Sequence, residues 1–466
     1  MAFKNSIVAH LYYEINKENP LLSKMWVPSD IFNFKMTEET DLIPNELPIS
    51  EISFDALDPN GYFSEYGEDN AIKNISVNAE VKVYRNYNNV SHEIGLFYLK
   101  EISVNGEVVS VKAQSLASLL DSEEINLGLV NQTSVGTLLD LILGANNYEV
   151  DDNSILTKEV YGYFGKDTKR NQLLKLMFLK ELNIITQRRN GKPLIINTVY
   201  SYQKYYNSSR YTIEHTFQNT TKLIRTKKYG NVNYKITDWD VSENDEIVYQ
   251  AQLEVGNYNI KFDNETYITS ITGATQLDNL PQMDTYINKY NSILKLDSVN
   301  IKVENSGTVI IRGKKLTKVQ TDKEFISGLP DPHSYDFVTE EYKKYLDETI
   351  ELSNDMFVDY GNTTITDYNL RFRHMLEFIS QYDREYEFEY DLTDFDGEEK
   401  KLLALHDFVS IVLPSEYDYI QNFSWGSVYA QKMVIGYVTR LETDLSTNVA
   451  KITLRAQMSF RKKQYS

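Results

Sequence analysis

The sequence predicts a protein of the α+β class that is mainly β, with a small α/β module between two β-rich ends. Residues that favour strands, such as Tyr, Ile, Val and Thr, are frequent in the first 120 residues. Apolar residues at helical spacing follow between about 133 and 182, and strand patterns return after about 201. The chain has 466 residues, of which 41% are hydrophobic, which suffices for about three domains with buried cores.

Two turns organise the first β-rich region. Asp58-Pro59-Asn60-Gly61 is a strong turn signal, because Pro presets one backbone angle and Gly accepts a positive one. Asn105-Gly106 predicts the turn of a β-hairpin, since this dipeptide suits the tight turns that join twisted strands. The strands of that hairpin are expected over 95–102 and 108–113.

Two helices and a strand pair form the predicted α/β module. Thr133 or Ser134 can cap the first helix, and Gly144 stops it. Asp167 or Thr168 can open the second helix. The first helix is expected to end at Leu143 and the second at about Leu182, with strands over 184–189 and 194–196 around Asn190-Gly191.

The rest of the chain reads mostly as strands. We expect one long helix, Thr364–Tyr382, because its apolar residues recur every three or four positions. The clearest linker is Gly-Leu-Pro-Asp-Pro at 328–332. The other expected features are turns at 229–231, 256–257 and 306–307, a short strand over 308–313, strands over 406–412, 433–438 and 450–454, and a hairpin turn around 444–448.

The net charge of −19 makes a generic nucleic-acid or anionic-lipid binder improbable on electrostatic grounds. The charge is uneven, because residues 331–400 carry 20 acidic and 6 basic side chains. We interpret that stretch as a solvated acidic face. No apolar run is long enough for a membrane helix, and the N-terminus has no secretory segment, so we expect synthesis in a cytoplasm without standard secretion.

The motifs of common enzymes are missing from the sequence. Cysteine is absent, which excludes disulfides and thiol chemistry. His92-Glu93 lacks the second histidine of a zinc-hydrolase helix, and Gly165-Lys166 lacks the upstream glycine of a phosphate loop. Asp394-Phe395-Asp396-Gly397 resembles part of a calcium loop, but Leu392 and Leu403 stand where its outer ligands belong. We therefore expect no enzyme, no catalytic, cofactor-binding or metal-binding residues, and no cofactor.

The order of these features resembles the hub proteins of phage tail tips and baseplates, also called tail-associated or minor tail proteins. The resemblance begins with Phe54-Asp55-Ala56-Leu57-Asp58 before Pro59-Asn60-Gly61, and continues with the hairpin of 95–113, where Gln114 and Ser115 replace the family's Asp step. The two helices with the following strand pair, then Thr308–Gly313, continue it. Ser353–Val358 and His406–Val409 complete the series.

The resemblance implies a homotrimer that adapts the sixfold tail tube or distal tail ring to the threefold tip, around a channel for DNA passage. It implies two β-barrel-like tube domains with an inserted α/β module. The expected domains are 1–120 (first barrel), 121–200 (α/β module), 201–332 (β-rich) and 333–466 (second barrel with the long helix).

The implied partners are other copies of the chain, the distal tail or tail tube protein, the tape measure protein and receptor-binding or fibre proteins. Sequence-specific nucleic acid and a membrane-spanning segment are not among them. The implied location is the virion, with assembly in the host cytoplasm. Because the chain ends at Ser466, soon after the last strand, we expect no C-terminal lytic or fibre domain.

Two other functions remain open from the sequence. The 35 tyrosines could stack on sugars, which would suit a carbohydrate-binding receptor-recognition protein of the tail tip. Among 67 acidic residues, a pair of carboxylates could also serve a glycoside hydrolase, since sequence spacing does not set their separation in space.

Overall fold

A computed structural model of the chain shows an architecture built mainly from antiparallel strands, as the sequence predicts. The structure describes residues 5–12, 23–26, 30–40, 47–63, 75, 78–87, 90–185, 192–197, 211–213, 217–223, 229–277, 292–294, 296–328, 349–351, 357–358, 384–391, 405–412, 419–423, 426–444 and 449–462. The predicted helix Thr364–Tyr382, the residues 329–332 of the linker, and the turns at 190–191, 394–397 and 445–448 lie outside these residues.

Seven strands form the N-terminal lobe, whose core contains Trp26, Phe54, Phe63 and Phe97. The rings of Trp26 and Phe63 stack at 5.6 Å, and Phe54 meets Trp26 edge-on at 5.5 Å. The strands are β1 Asn5–Tyr12, β2 Ser23–Trp26, β3 Ile31–Glu39, β4 Glu51–Leu57, β5 Glu80–Tyr87, β6 Val90–Asn105 and β7 Val108–Gln114.

The predicted hairpin of 95–113 is confirmed, with longer strands and a shifted turn. Asn105 pairs with Val108, so the two-residue loop is Gly106-Glu107. Gly106 has φ of +63°, a left-handed conformation that suits glycine at the first loop position. The Asp58–Gly61 turn is also confirmed, since the Gly61 amide donates to the Asp58 carbonyl at 3.0 Å.

The α/β module contains both predicted helices, which bury Leu138, Leu139, Leu173 and Leu176 in a common core. Ser134 caps the first helix, and Thr168 caps the second, which ends at Lys180 rather than Leu182 because Glu181 turns left-handed with φ of +51°. The elements are α1 Val135–Leu143 and α2 Lys169–Lys180, with β8 Glu124–Ile125, β9 Gly128–Ser134, β10 Glu149–Val150, β11 Glu159–Phe164, β12 Asp167–Thr168, β13 Leu182–Ile185 and β14 Leu194–Asn197.

The next region contains a small two-layered sandwich around Val299, Ile301, Val309 and Ile311. Its strands, and those around it, are β15 Tyr211–Ile213, β16 Phe217–Leu223, β17 Tyr229–Val241, β18 Glu246–Leu253, β19 Gly256–Lys261, β20 Thr266–Thr272, β21 Thr275–Gln276, β22 Ser292–Leu294, β23 Ser298–Val303, β24 Gly307–Gly328, β25 Thr349–Glu351 and β26 Phe357–Val358.

Two turns expected in this region are wrong. Residues 229–231 lie in β17, not in a turn, and Gly256 opens β19 one residue after the bend at Val255. The strand expected over 308–313 is confirmed, as the first part of the 22-residue β24. This strand changes partners along its length, from β18 and β20 to β17, so no single alternation runs through it.

The C-terminal lobe buries Tyr386, Phe388, Ile411 and Leu454. The hairpin expected from 433–438 and 450–454 is confirmed, and its strands are longer. The strand expected from His406 begins at Phe408, because His406 has φ of +65°. The strands are β27 Arg384–Asp391, β28 Phe408–Val412, β29 Tyr419–Phe423, β30 Gly426–Asp444 and β31 Val449–Lys462.

One 14-stranded sheet connects the two lobes. Its order is β16-β27-β31-β30-β3-β4-β7-β6-β5-β1-β2, with β15, β28 and β29 off this path. The two lobes meet where β3 pairs antiparallel with β30, from Lys35 opposite Asp444 to Glu39 opposite Arg440. Among the described residues the sheets are open and form no closed barrel.

Candidate functional surface

The 14-stranded sheet has one apolar face and one polar face. In β4 the buried side chains Ile52, Phe54 and Ala56 alternate with Glu51, Ser53 and Asp55. Residues paired in register point to the same side of a sheet, so the pairing extends these two faces across both lobes. We call the side that carries Glu51 and Asp55 the polar face.

Carboxylates outnumber basic groups on the polar face. Eleven acidic side chains of the described strands point to this side: Glu39, Glu51, Asp55, Glu80, Glu93, Glu101, Glu385, Glu387, Glu389, Glu442 and Asp444. Six basic ones accompany them: Lys35, Lys82, Lys112, Arg440, Lys451 and Arg455. Three of the carboxylates belong to the acidic stretch 331–400, which therefore contributes to this surface.

Several of these charges form ion pairs that remain accessible to water. Lys112 lies 3.0 Å from Glu101, Arg440 lies 2.6 Å from Glu442, and Lys451 lies 3.6 Å from Glu387. Each side chain is about 40–55% exposed, so the pairs add little to stability. The polar face is thus a hydrated, charged surface with an excess of negative charge.

Several strand segments of this sheet have a pairing partner on one side only, within the described part of the chain. β2 pairs only with β1, β16 with β27, β15 with β28 and β29 with β30. The second half of β6 is a further case: β5 pairs with Val90–Tyr98, whereas Glu101–Asn105 pairs with β7 alone. Their unpaired backbone groups can form hydrogen bonds with a strand of another chain.

Two ionisable side chains are buried beside the junction of β3 and β30. Glu38 is 6% exposed, and burial raises the pKa of its carboxyl to about 7, against a smaller opposing effect of the Ser50 hydroxyl. His406 is 3% exposed, and burial lowers the pKa of its imidazole to about 4. The sequence offered a signal for Glu38, which continues the alternation of Phe34 and Met36. The sequence places His406 at the start of a strand, and nothing local marks it as buried.

A second buried contact joins the α/β module to the sandwich region. The Trp239 indole donates to Glu265 at 2.6 Å, and the Tyr163 hydroxyl donates to the other carboxylate oxygen. The Tyr163 and Trp239 rings meet edge-on at 5.1 Å, and the Lys318 ammonium lies 5.6 Å from the Tyr163 ring centre. These contacts fix the module against β17 and β24.

The described residues contain no group of three or more His, Asp or Glu side chains arranged to hold a metal ion. No helix in the described ranges is long and apolar enough to cross a membrane. The partial calcium-loop sequence at 394–397 lies outside them, and His92 belongs to β6, where its main chain pairs with that of Arg85.

No family profile matches the sequence, and no curated protein matches it. Among solved structures, prophage tail protein gp18 from Listeria monocytogenes EGD-e is similar over 98% of this chain and 95% of that chain, at 11% identity and a TM-score of 0.44. A tail protein from Neisseria meningitidis MC58 is similar over 98% and 97%, at 6% identity and a TM-score of 0.48. The 43 kDa tail protein of prophage MuSo2 from Shewanella oneidensis is similar over 97% and 100%, at 8% identity and a TM-score of 0.44.

Proposed function

We propose that this chain is a structural, non-enzymatic hub subunit at the distal end of a bacteriophage tail. It forms a homotrimer that adapts the sixfold tube or distal tail ring to the threefold tip. The observation that carries the proposal is the 14-stranded sheet, in which lobes from the two ends of the chain lie side by side and share one polar face. Three such subunits supply six lobes, the number that a sixfold ring requires.

The polar face suits the wall of a central channel. In a ring, the apolar face of each lobe is covered by its own core, and the hydrated face can line the opening. The carboxylate excess on that face repels the phosphates of passing DNA over roughly 8 Å, the screening length at physiological salt. A channel of this kind lets DNA leave the particle without binding it.

The strand segments that have a pairing partner on one side only could close the ring. A strand such as β16 of one copy can pair with the second half of β6 in the next copy. A head-to-tail contact of this type closes when the rotation between copies is one third of a turn. The barrel-like character expected of the tube domains would then arise between subunits.

The proposal includes the partners that the sequence resemblance implies. One rim of the ring would contact the distal tail or tail tube protein, and the other would contact receptor-binding or fibre proteins. The tape measure protein would end in the channel before DNA ejection. The chain would thus act in the virion, after assembly in the host cytoplasm.

The solution mass of the purified full-length chain tests the trimer. We expect a species of three times the 54.1 kDa chain mass, alone or after addition of the tail protein that it adjoins. A chain that stays monomeric over the whole accessible concentration range, with and without that protein, would contradict the proposal.

A further inference from the structure

The seam between the lobes is narrow. It consists of the five register pairs of β3 with β30, followed by a hydrogen bond from the Thr40 amide to the Thr439 carbonyl at 2.8 Å. Within the described residues, no other strand pairing joins the N-terminal lobe to the C-terminal lobe. Groups buried beside these pairs therefore contribute to how strongly β3 is held to β30.

Glu38 lies on the apolar side of the seam, opposite Leu441 in register and in line with Met36. One carboxylate oxygen accepts a hydrogen bond from the Ser50 hydroxyl at 3.2 Å, and Ser50 is held by main-chain and side-chain bonds to Ser115. The nearest charges along the seam, Glu39 and Arg440, point to the opposite, polar face.

His406 approaches the same place from the C-terminal lobe. Its amide donates to the Val438 carbonyl at 2.8 Å, and its Nε2 atom lies 3.4 Å from the Thr40 hydroxyl. Its Nδ1 atom is buried and has no hydrogen-bond partner among the described residues. The charged residue beside it in sequence is Asp407, which is only partly buried. Thr40 lies two residues after Glu38, so both ionisable groups flank one short stretch of chain.

We propose that Glu38 and His406 compensate for each other when the pH changes. Together they keep the free energy needed to separate β3 from β30 constant between mildly acidic and nearly neutral pH. Between pH 4.5 and 6.5 both side chains are uncharged while the seam is closed, because among the described residues neither site offers a charged partner. Opening the seam exposes both groups to water, where the carboxyl loses its proton and the imidazole gains one.

Over a definite pH range, the proton that Glu38 releases on opening is balanced by the proton that His406 takes up. For Glu38 the pKa is about 7 in the closed seam and 4.5 in water, so opening releases a proton between these values and becomes easier as the pH rises. For His406 the pKa is about 4 in the closed seam and 6.5 in water, so opening takes up a proton and becomes easier as the pH falls. From pH 4.5 to 6.5 both exchanges occur, and the net proton change is zero.

Amide hydrogen exchange at Thr40, whose amide donates across the seam to Thr439, measures the opening of the seam once it is corrected for the intrinsic exchange rate. In the unmodified full chain, we expect an opening constant that is flat over this range. In Glu38→Gln only His406 changes its protonation on opening. The opening constant therefore falls about tenfold per pH unit as the pH rises. In His406→Asn, where Asn accepts the left-handed backbone, it rises about tenfold per pH unit. The double variant is flat again.

Glu39→Gln is the matched control, because it removes a neighbouring carboxylate from the polar face and should leave the profile flat. A slope of about tenfold per pH unit in the unmodified chain overturns the proposal, and so does a flat profile in either single variant. If one single variant fails to fold, the sign of the slope in the other decides. The same profiles can be measured on monomer or trimer, so this test is independent of the proposed assembly.

Discussion

Among single residues, Asp58 is predicted as part of a turn, and in the structure its buried carboxylate also binds the backbone that follows the turn. Its side chain is 1% exposed, and its two oxygens accept the amides of Tyr62 at 3.0 Å and Phe63 at 2.8 Å. These bonds hold the chain after the turn so that Phe63 stacks on Trp26. The sequence predicts the turn, but the buried carboxylate depends on contacts that sequence spacing does not reveal.

Replacing Asp58 with Ala leaves the buried Phe63 amide and the part-buried Tyr62 amide without their acceptor. We expect Asp58→Ala to lower the free energy of unfolding of the N-terminal lobe by about 2–4 kcal/mol, since each lost bond costs about 1–3 kcal/mol. Hydrogen exchange of the N-terminal-lobe amides at increasing denaturant concentration measures the loss. Asn60→Ala, at an exposed position of the same turn, should change stability by less than about 0.5 kcal/mol. Equal losses in the two variants would refute this role of Asp58.

Gly436 shows a requirement for close packing between strands. A Cβ atom at this position would lie 2.3 Å from the Arg455 carbonyl oxygen and 2.7 Å from the Ala456 Cα atom, both main-chain atoms. Gly436→Ala must therefore push β30 and β31 apart, and we expect a loss of about 1–3 kcal/mol of stability by thermal or chemical unfolding. Gly307→Ala is the control, because the nearest atom there is 3.9 Å away. Equal stability of the two variants would show that β30 adjusts freely.

Among the helices and strands, those marked by residues close together in the sequence could be predicted. The helix α1 follows directly from Ser134, the apolar spacing and Gly144, all within eleven residues. The strand β24 could not be derived in the same way, because its burial depends on three different partner strands that approach from distant parts of the chain. The exchange of partners at Lys314 and Lys315 interrupts the alternation that a pattern search needs.

The cap of α1 gives a test at this scale. The Ser134 hydroxyl accepts the Thr137 amide at 3.2 Å. We expect Ser134→Ala to lower the stability of the α/β module by about 1 kcal/mol, measured by hydrogen exchange of the first-turn amides of α1. Ser134→Asp retains an acceptor and adds a favourable negative charge at the helix N-terminus, so it should match or exceed the original stability. Unchanged hydrogen exchange of these amides in Ser134→Ala would mean that packing alone, and not the cap, fixes the start of α1.

At the scale of the whole molecule, the sheet that joins the two lobes has no local signal at all. β3 and β30 lie about 400 residues apart in sequence, and no turn or spacing pattern links Glu39 with Arg440. The polar face is likewise a product of the assembled sheet, because its carboxylates come from strands at both ends of the chain. The acidic stretch 331–400 indicates a solvated acidic face and supplies three of its carboxylates, but nothing in the sequence shows that strands of the N-terminal lobe complete this surface.

The charge of the polar face gives a test of the proposed channel. We expect the quadruple variant Glu385→Lys, Glu387→Lys, Glu389→Lys and Glu442→Lys to retain double-stranded DNA at low salt and to lose it as salt rises, because basic side chains then outnumber the acidic ones on this face. The unmodified protein should not retain DNA. The control is the quadruple variant Glu243→Lys, Glu246→Lys, Glu254→Lys and Glu304→Lys, which makes the same charge change at exposed positions of the sandwich region. Equal DNA retention by both quadruple variants, measured by gel shift, would count against a channel lined by the polar face.

In the proposed assembly, two lobes in each of three subunits form a six-lobed ring. Class averages of the purified assembly from electron cryo-microscopy, viewed along its axis, show the ring itself. We expect threefold symmetry, six similar lobes and a central opening bordered by the strands β3, β4, β27, β30 and β31. Single particles without an opening, or a ring whose lobes do not come in three pairs, would contradict it.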